Sequence, residues 1–189
     1  MPKEIETKFK IDSVEKFKRN LKKIGARFVS KEFEQDTYYR SPAPQSSCST
    51  IRLRSITDKG VFTLKGAAGG APSRTYKVRS ELEVGINDVR AFDEILKQLG
   101  FMPRFKKEKI RETYKWKDAK ISLDKLPFIG FYTEIEGPKR TIKEAAALLG
   151  LEMSRAIPDT YMELFNYYKM LRKKPALRLV FKSERKRHD

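Results

Sequence analysis

Charged residues alternate with apolar or neutral ones in several short segments of this chain. Near the N-terminus, Glu4, Glu6 and Lys8 occupy every second position. Side chains of a β-strand point alternately to its two faces, so each such segment predicts a strand with one charged face. Close pairs of carboxylates supply the oxygen ligands that Mg²⁺ or Mn²⁺ prefers, and rows of Lys and Arg bind phosphate oxygens. The chemistry indicated is the binding of a phosphorylated compound together with a divalent cation.

The candidate site residues lie on the charged faces of the predicted strands. Those strands span 4–10, 27–39, 50–56, 61–66, 76–84, 104–117, 120–124 and 131–136. The acidic candidates are Glu4, Glu6, Glu81, Glu83, Asp124, Glu134 and Glu136. The basic candidates are Lys8, Arg52, Arg54, Lys65, Arg79, Lys109 and Arg111, with Lys10, Arg74, Lys77 and Lys107 as less specific additions.

Four amphipathic helices are predicted between these strands. The first two begin after Asp12 and after Asn87 or Asp88, and they end at Gly25 and Gly100. A third begins with the capping box Thr141-x-x-Glu144 and ends at Gly150, and a fourth begins near Pro158. Tyr161 falls on the apolar face of the fourth helix, which predicts a packing role.

Two arrangements fit these elements. Most alternating strands belong to open sheets or sandwiches whose polar face lies in water. Here four helices are available to cover the apolar faces from outside, and eight strands suit a closed barrel whose charged faces line the interior. Such a lining is costly unless a charged ligand and a metal lie within it. We therefore predict an α+β fold with a closed eight-stranded antiparallel β-barrel and external helices.

An internal repeat supports a barrel of two similar halves. The segment Glu4-Ile5-Glu6 matches Glu81-Leu82-Glu83 at an offset of 77, and Asp36-Thr37-Tyr38 matches Glu112-Thr113-Tyr114 at an offset of 76. A helical stretch that ends in glycine lies between the two landmarks in each half. The barrel is therefore predicted to consist of two β-α-β repeats.

The composition sets further limits. Among 189 residues, 39% are apolar and 35% charged, with a formal net charge of +17, which favours polyanionic ligands. No apolar run is long enough to cross a bilayer, so no membrane partner is expected. The single cysteine, Cys48, favours a reducing cytoplasm. Residues 1–171 are predicted to form the domain and 172–189 a basic C-terminal tail.

The ordered set of motifs resembles the CYTH family, the triphosphate tunnel metalloenzymes, which include class IV adenylate cyclases, thiamine triphosphatases and inorganic triphosphatases. The resemblance rests on Glu4-x-Glu6-x-Lys8, Arg52-x-Arg54, Phe62-Thr63-Leu64-Lys65-Gly66, Lys109-x-Arg111, Leu123-Asp124 and Glu134-x-Glu136-Gly137. It implies that Glu4, Glu6, Asp124, Glu134 and Glu136 hold Mg²⁺ or Mn²⁺. It also implies that Lys8, Arg52, Arg54, Lys65, Lys109 and Arg111 hold phosphates, with Arg79, Glu81 and Glu83 assigned less firmly. Among these, Lys8, Lys65 and Arg111 are the predicted catalytic residues.

Three activities are consistent with these residues. The favoured activity is that of the class IV adenylate cyclase-like branch, which converts ATP to cyclic AMP and pyrophosphate, because the segment Asp159–Leu164 resembles that branch, although Thr160 replaces a serine that is common there. A triphosphatase acting on tripolyphosphate, thiamine triphosphate or a nucleoside triphosphate would use the same residues. The third alternative is a basic module that binds polyphosphate or nucleic acid without catalysis, and nucleic acid is the less favoured partner. A homodimer is also compatible with the sequence.

Overall fold

Eight antiparallel strands close into a barrel in the computed structural model of the chain, which describes residues 3–43, 48–57, 59–68, 75–175 and 178–181. The strands are β1 (Lys3–Ile11), β2 (Arg27–Arg40), β3 (Cys48–Ile56), β4 (Lys59–Ala68), β5 (Lys77–Ile86), β6 (Met102–Trp116), β7 (Ala119–Leu126) and β8 (Gly130–Glu136). Their order around the barrel is β1-β5-β4-β3-β2-β6-β7-β8, and β8 pairs with β1. The predicted eight-stranded barrel is confirmed.

Four α-helices pack against the barrel, three of them on its outer surface and the last across one of its ends, where its first residues border the interior. They are α1 (Val14–Lys23), α2 (Val89–Gln98), α3 (Lys139–Leu149) and α4 (Tyr161–Leu171). Ser13 caps α1 in place of the predicted Asp12, whereas Asp88 caps α2 as predicted. The short, oxygen-bearing side chains at both positions accept a hydrogen bond from a first-turn backbone N–H, which stabilises the start of each helix.

The predicted starts of the last two helices are wrong. Helix α3 begins two residues before the expected capping box, after Pro138, because Thr141 is buried against the barrel and does not cap. Helix α4 begins three residues after Pro158, where Thr160 and Glu163 form a capping box that satisfies two backbone N–H groups reciprocally. The capping box predicted at Thr141 and Glu144 therefore does not form, because Thr141 is buried. The capping box that does form is at Thr160 and Glu163, at the start of the next helix.

The apolar faces of the strands lie outside the barrel, under the helices. The largest core includes Phe9, Trp116 and Ile121 from the strands and Phe17 and Leu21 from α1. Helix α2 covers a second core around Ile51 and Leu53. Leu126 and Tyr132 instead lie on the same strand faces as the inward-pointing Asp124 and Glu134, and α4 packs on them at one end of the barrel. Because neighbouring side chains in a strand point to opposite faces, the charged residues are directed into the barrel.

The two halves of the barrel share the element order β-α-β-β-β. Val14, Phe17 and Gly25 in α1 and its C-terminal turn correspond to Val89, Phe92 and Gly100, each 75 positions later. The tyrosine landmark of the predicted repeat is wrong, because its two copies lie on opposite faces. Asp36 is buried inside the barrel, whereas Glu112 accepts hydrogen bonds from Lys18 and Tyr114 on the outside.

A short C-terminal segment returns to the barrel. Leu179 forms an isolated parallel bridge with Lys107 of β6, at a part of β6 that β7 does not pair with. The side chain of Leu179 is buried in the core that includes Tyr161 and Phe165. The N–H of Phe181 donates to the carboxylate of Glu108. Residues 69–74, which include the predicted loop residue Arg74, and residues 182–189 of the predicted tail lie outside the described residues. The domain boundary at 171 stays a prediction, and no described helix is long and apolar enough to span a membrane.

Candidate active site in the barrel tunnel

The interior of the barrel holds a cavity of about 320 Å³. Ten of the predicted site residues line it: Glu4, Glu6, Lys8, Arg52, Arg54, Lys65, Lys109, Arg111, Glu134 and Glu136. Glu81, Glu83, Lys77 and Lys107, the less firmly assigned candidates, also line it. Asp124 lies just behind this lining and is fully buried, while Lys10 is exposed beyond it. The side chain of Arg79 lies outside the described part of the structure.

A group of carboxylates occupies the part of the cavity formed by β1, β5 and β8. Glu6 and Glu136 are direct partners across β1 and β8. Burial and the nearby charges of Glu136 and Glu81 raise the pKa of Glu4 to about 7. Burial and the charge of Glu134 likewise raise the pKa of Glu6. Mutual repulsion of this kind is relieved when a cation lies between the carboxylates.

The fit of this carboxylate group to a divalent cation depends on what else supplies ligands. No three described His, Cys, Asp or Glu side chains form a ready-made metal-binding group. Mg²⁺ is commonly held by one or two carboxylates together with water and substrate phosphates, so a complete protein cage is not required. Since burial, together with repulsion from like charges, raises the pKa values of Glu4 and Glu6, the residues present fit a cation that arrives with a phosphate ligand.

Two ion pairs occupy equivalent places in the two halves of the barrel, with their charges exchanged. Asp36 on β2 accepts from Arg54 on β3, with Nε–Oδ1 at 2.7 Å and Nη2–Oδ2 at 3.2 Å. Arg111 on β6 donates to Asp124 on β7, with Nε–Oδ1 at 2.6 Å and Nη2–Oδ2 at 2.5 Å. In both hairpins the paired residues are direct cross-strand partners. Bidentate pairs of this kind fix the guanidinium plane and so position each arginine.

Glu34 and Asp36 were missed as interior residues by the sequence analysis. Glu34 lies 3.0 Å from Arg54 and 3.1 Å from Lys109. Lys107 lies 2.9 Å from Asp36. Glu34 and Asp36 alternate with Phe33 and Gln35 along β2, and this period-2 pattern was the available signal. Glu34 and Asp36 thus place two negative charges next to the basic rows of the tunnel, which are Arg52 and Arg54 on β3 and Lys107, Lys109 and Arg111 on β6.

Lys109 is the most deeply buried cation of the tunnel. Burial and the adjacent Arg111 charge lower the pKa of Lys109 to about 8, although Asp124 and Glu34 oppose this. Lys109 lies 3.3 Å from Asp124. An additional anion in the cavity would therefore favour its charged form.

Tyr161 belongs to the site as well as to the core. Its hydroxyl donates to Asp124 at 2.8 Å, and the Lys8 ammonium lies 4.2 Å from the centroid of its ring. The Lys8 ammonium also donates to the carbonyl of Asp159 at 2.8 Å and lies 3.4 Å from Glu134. The packing interpretation of Tyr161 was therefore incomplete, because helical spacing does not reveal a polar contact 37 positions away.

Lys65 and Arg52 also contact acidic residues. Lys65 pairs with Glu81 across β4 and β5. Arg52 donates to Thr63 at 2.9 Å and to Glu83 at 3.2 Å. The Nε of Arg52 is a buried donor that has no acceptor in the described part of the chain. Buried donors are rarely left unsatisfied, so an acceptor from water or from a ligand is expected at this group.

The charges around the cavity nearly balance. Ten described Lys and Arg side chains line it, and six acidic ones do so. Glu34, Asp36 and Asp124 add three buried acids that pair with these cations. The tunnel itself is therefore close to neutral, and most of the net charge of +17 lies outside it.

Comparisons with known proteins agree with this geometry. The CYTH domain model matches residues 2–161. A Methanocaldococcus jannaschii protein named "Putative adenylate cyclase" is 33% identical over 148 residues, which are 77% of this chain and 83% of that protein. The PH1012 protein of Pyrococcus horikoshii is 30% identical, with a TM-score of 0.72 over 85% of this chain and 98% of that chain.

A plant protein shows how activities differ on this fold. It comes from Hippeastrum and is described as a "putative adenylyl cyclase" with a dominant triphosphatase activity. It superposes with a TM-score of 0.61 over 87% of this chain and 96% of that chain, at 17% identity, which establishes the common fold alone. Since the family model covers most of the sequence and the barrel agrees with it, the chain belongs to the CYTH family.

Proposed function

We propose that this protein is a divalent-cation-dependent enzyme that binds a triphosphate in the tunnel and cleaves it. The observation that carries the proposal is the opposition of two groups across one cavity. On one side are carboxylates whose pKa values are raised by burial and by like charges, and on the other are Lys and Arg side chains held by buried acids. A cation ligand and a polyphosphate ligand are thus provided for together.

The near neutrality of the tunnel explains why a metal is needed. A bare triphosphate would add several negative charges to a lining whose cations are already paired with acids. Bound Mg²⁺ or Mn²⁺ offsets this charge and the charge that develops on the phosphate oxygens during cleavage. Glu4, Glu6, Glu134 and Glu136 would hold the cation. Both oxygens of Asp124 already accept from Arg111, and its role as a metal ligand stays a prediction.

The basic residues would bind and orient the phosphates. Arg52 offers its free Nε, and Lys65, Lys109 and Arg111 border the same cavity. Asp36, Glu34 and Asp124 fix the guanidinium and ammonium groups of the β3 and β6 rows before substrate binds. Because these groups are already oriented, little reorganisation is needed when negative charge develops. Hydrolysis of the terminal phosphate requires no further recognition, so triphosphatase activity is the first candidate.

Conversion of ATP to cyclic AMP is the second candidate. The name of the Methanocaldococcus jannaschii relative favours it. The stacked rings of Tyr38 and Phe105, with centroids 4.3 Å apart, also border the cavity and offer an aromatic surface to a base. The two reactions differ in the phosphorus atom that is attacked, and this difference is visible in the products.

Product analysis tests the proposal. Purified protein would be incubated with tripolyphosphate, thiamine triphosphate or ATP in the presence of Mg²⁺ or Mn²⁺. Orthophosphate from any of these substrates supports the triphosphatase, while cyclic AMP with pyrophosphate supports the cyclase. If none of the substrates is cleaved with either metal, the proposed function is wrong.

A further inference from the structure

A row of three cations leads from the outer surface into the tunnel. Arg27 is the direct cross-strand partner of Lys115, and Lys115 is the partner of Lys120. Directly opposed residues in antiparallel strands lie about 5 Å apart and point to the same face. Lys120 lines the cavity, so Arg27 and Lys115 point to the tunnel side of the barrel wall. All three side chains are exposed.

The same row continues into the carboxylate group. Lys120 pairs with Glu136 across β7 and β8, and Glu136 pairs with Glu6 across β8 and β1. Strands of a barrel are tilted relative to its axis, so a line of cross-strand neighbours passes from the rim to the interior. Exposure falls along this line, from exposed Arg27, Lys115 and Lys120 to half-buried Glu136 and Glu6. The cation row therefore ends where the divalent cation is proposed to bind.

No interaction within the described fold explains why Arg27 and Lys115 lie directly opposite each other. Like charges placed directly opposite each other in a sheet are destabilising. Lys120 has Glu136 as an ion-pair partner, but in the described ranges no acidic group lies within ion-pair distance of Arg27 or Lys115. Two uncompensated cations beside the tunnel entrance indicate an anionic ligand.

We propose that Arg27, Lys115 and Lys120 bind the phosphates of a linear polyphosphate that extends beyond the three held in the tunnel. The inference rests on the proposed triphosphate site and names its substrate class as polyphosphate chains longer than tripolyphosphate. The row consists of Lys and Arg only and contains no aromatic side chain. This favours a bare phosphate chain over RNA, whose bases proteins commonly bind by stacking on aromatic side chains.

Calorimetric titration tests the proposal without relying on turnover. Tripolyphosphate and a longer linear polyphosphate would be titrated, each with Mg²⁺, into the wild-type protein and into a variant carrying both Arg27→Gln and Lys115→Gln. Each exposed contact contributes modestly, so removing both is expected to weaken binding of the long chain about tenfold. Affinity for tripolyphosphate is expected to change less than twofold, because neither residue reaches the cavity.

A matched variant controls for total charge. Lys16→Gln with Arg19→Gln also removes one lysine and one arginine, both exposed on α1. It is expected to bind both ligands like the wild type. Equal losses in both double variants, or an unchanged affinity for the long chain in Arg27→Gln with Lys115→Gln, would overturn the proposal.

Two further results separate this inference from others. An RNA oligonucleotide titrated in the same way should show no dependence on Arg27 and Lys115, and a dependence limited to RNA would assign the row to a different ligand. If the wild type binds the long chain through this row but cleaves no triphosphate, the inference stands and the proposed function fails. If the protein cleaves tripolyphosphate but the row does not strengthen binding of the longer chain, the proposed function stands and the inference fails.

Discussion

The Tyr161 hydroxyl donates a 2.8 Å hydrogen bond to Asp124, the carboxylate that holds Arg111 in the tunnel. Burial, followed by the charge of Asp124, raises the pKa of Tyr161, so the phenol keeps its proton and remains a donor. One residue of α4 thus joins the electrostatic network inside the barrel. The start of α4 is thereby fixed relative to Asp124 and Arg111.

Substitution of Tyr161 by phenylalanine separates this hydrogen bond from packing. The ring and its contacts with Lys8 and Tyr132 are retained. The hydrogen bond positions Asp124 and, through it, Arg111, and a loss of about 1 kcal/mol of transition-state stabilisation by Arg111 is expected to lower kcat/KM for tripolyphosphate about fivefold. Steady-state kinetics would measure this, with Tyr168→Phe on the same helix as the control. Equal effects of the two substitutions would refute a specific role for the Tyr161 hydroxyl.

Asp36 is expected to be the most sensitive acid of the interior. It is fully buried and holds both Arg54 and Lys107. Asp36→Asn removes the charge partner of Lys107 and one of the two partners of Arg54, and is expected to lower the free energy of unfolding by about 3–5 kcal/mol. Chemical denaturation would measure the change. The control is Asp12→Asn at an exposed pair with Arg155, where a change below about 1 kcal/mol is expected.

The stability of the protein is expected to fall in acid partly because of Asp36. Burial would raise the pKa of this carboxyl, but the charges of Lys107 and Arg54 hold it well below its usual range. The stabilisation by ionised Asp36 is complete above its ordinary pKa of about 4 and is lost as the pH falls through the folded-state pKa. The stability difference between wild type and Asp36→Asn should therefore shrink below about pH 4. Denaturation curves that give a constant difference from neutral pH into acid would contradict this.

Much of the fold and of the candidate site could be predicted because it depends on alternation within single strands. The face on which Glu4, Arg52 or Glu134 lies follows from period-2 spacing. The four helices follow from their apolar stripes. The helix starts near 139 and 161 could not be fixed, because burial of Thr141 is a tertiary effect.

The features that could not be predicted all depend on contacts between distant segments. Period-2 spacing places Glu34 and Asp36 on one face of β2, but their ion pairs with Arg54 and Lys107 form only because β2 pairs with both β3 and β6. The contact of Tyr161 with Asp124 depends on where α4 docks. Leu179 is buried in the core around Phe165, and the apolar residues on both sides of it, in the run 176–181, were a signal that the prediction of a basic tail overlooked. Where such a segment docks is not contained in its local pattern.

Leu179 is expected to stabilise the protein despite its place near the C-terminus. Its side chain is buried in the core that also holds Tyr161 and Phe165. Leu179→Ala is expected to lower the free energy of unfolding by about 2–5 kcal/mol, as for other buried leucines. Leu171→Ala, at an exposed position of α4, should change it by less than about 0.5 kcal/mol. Similar thermal unfolding of the two variants would show that the C-terminal segment is not held in solution.

The most direct test of the central claim is the dependence of triphosphate binding on a divalent cation. Tripolyphosphate would be titrated calorimetrically into the wild-type protein with Mg²⁺ and, separately, with a chelator. Because the tunnel is nearly neutral and its carboxylates repel one another, we expect binding with Mg²⁺ to be at least about a hundredfold tighter. Equally tight binding in chelator would contradict the account and identify the tunnel as a metal-independent polyanion site.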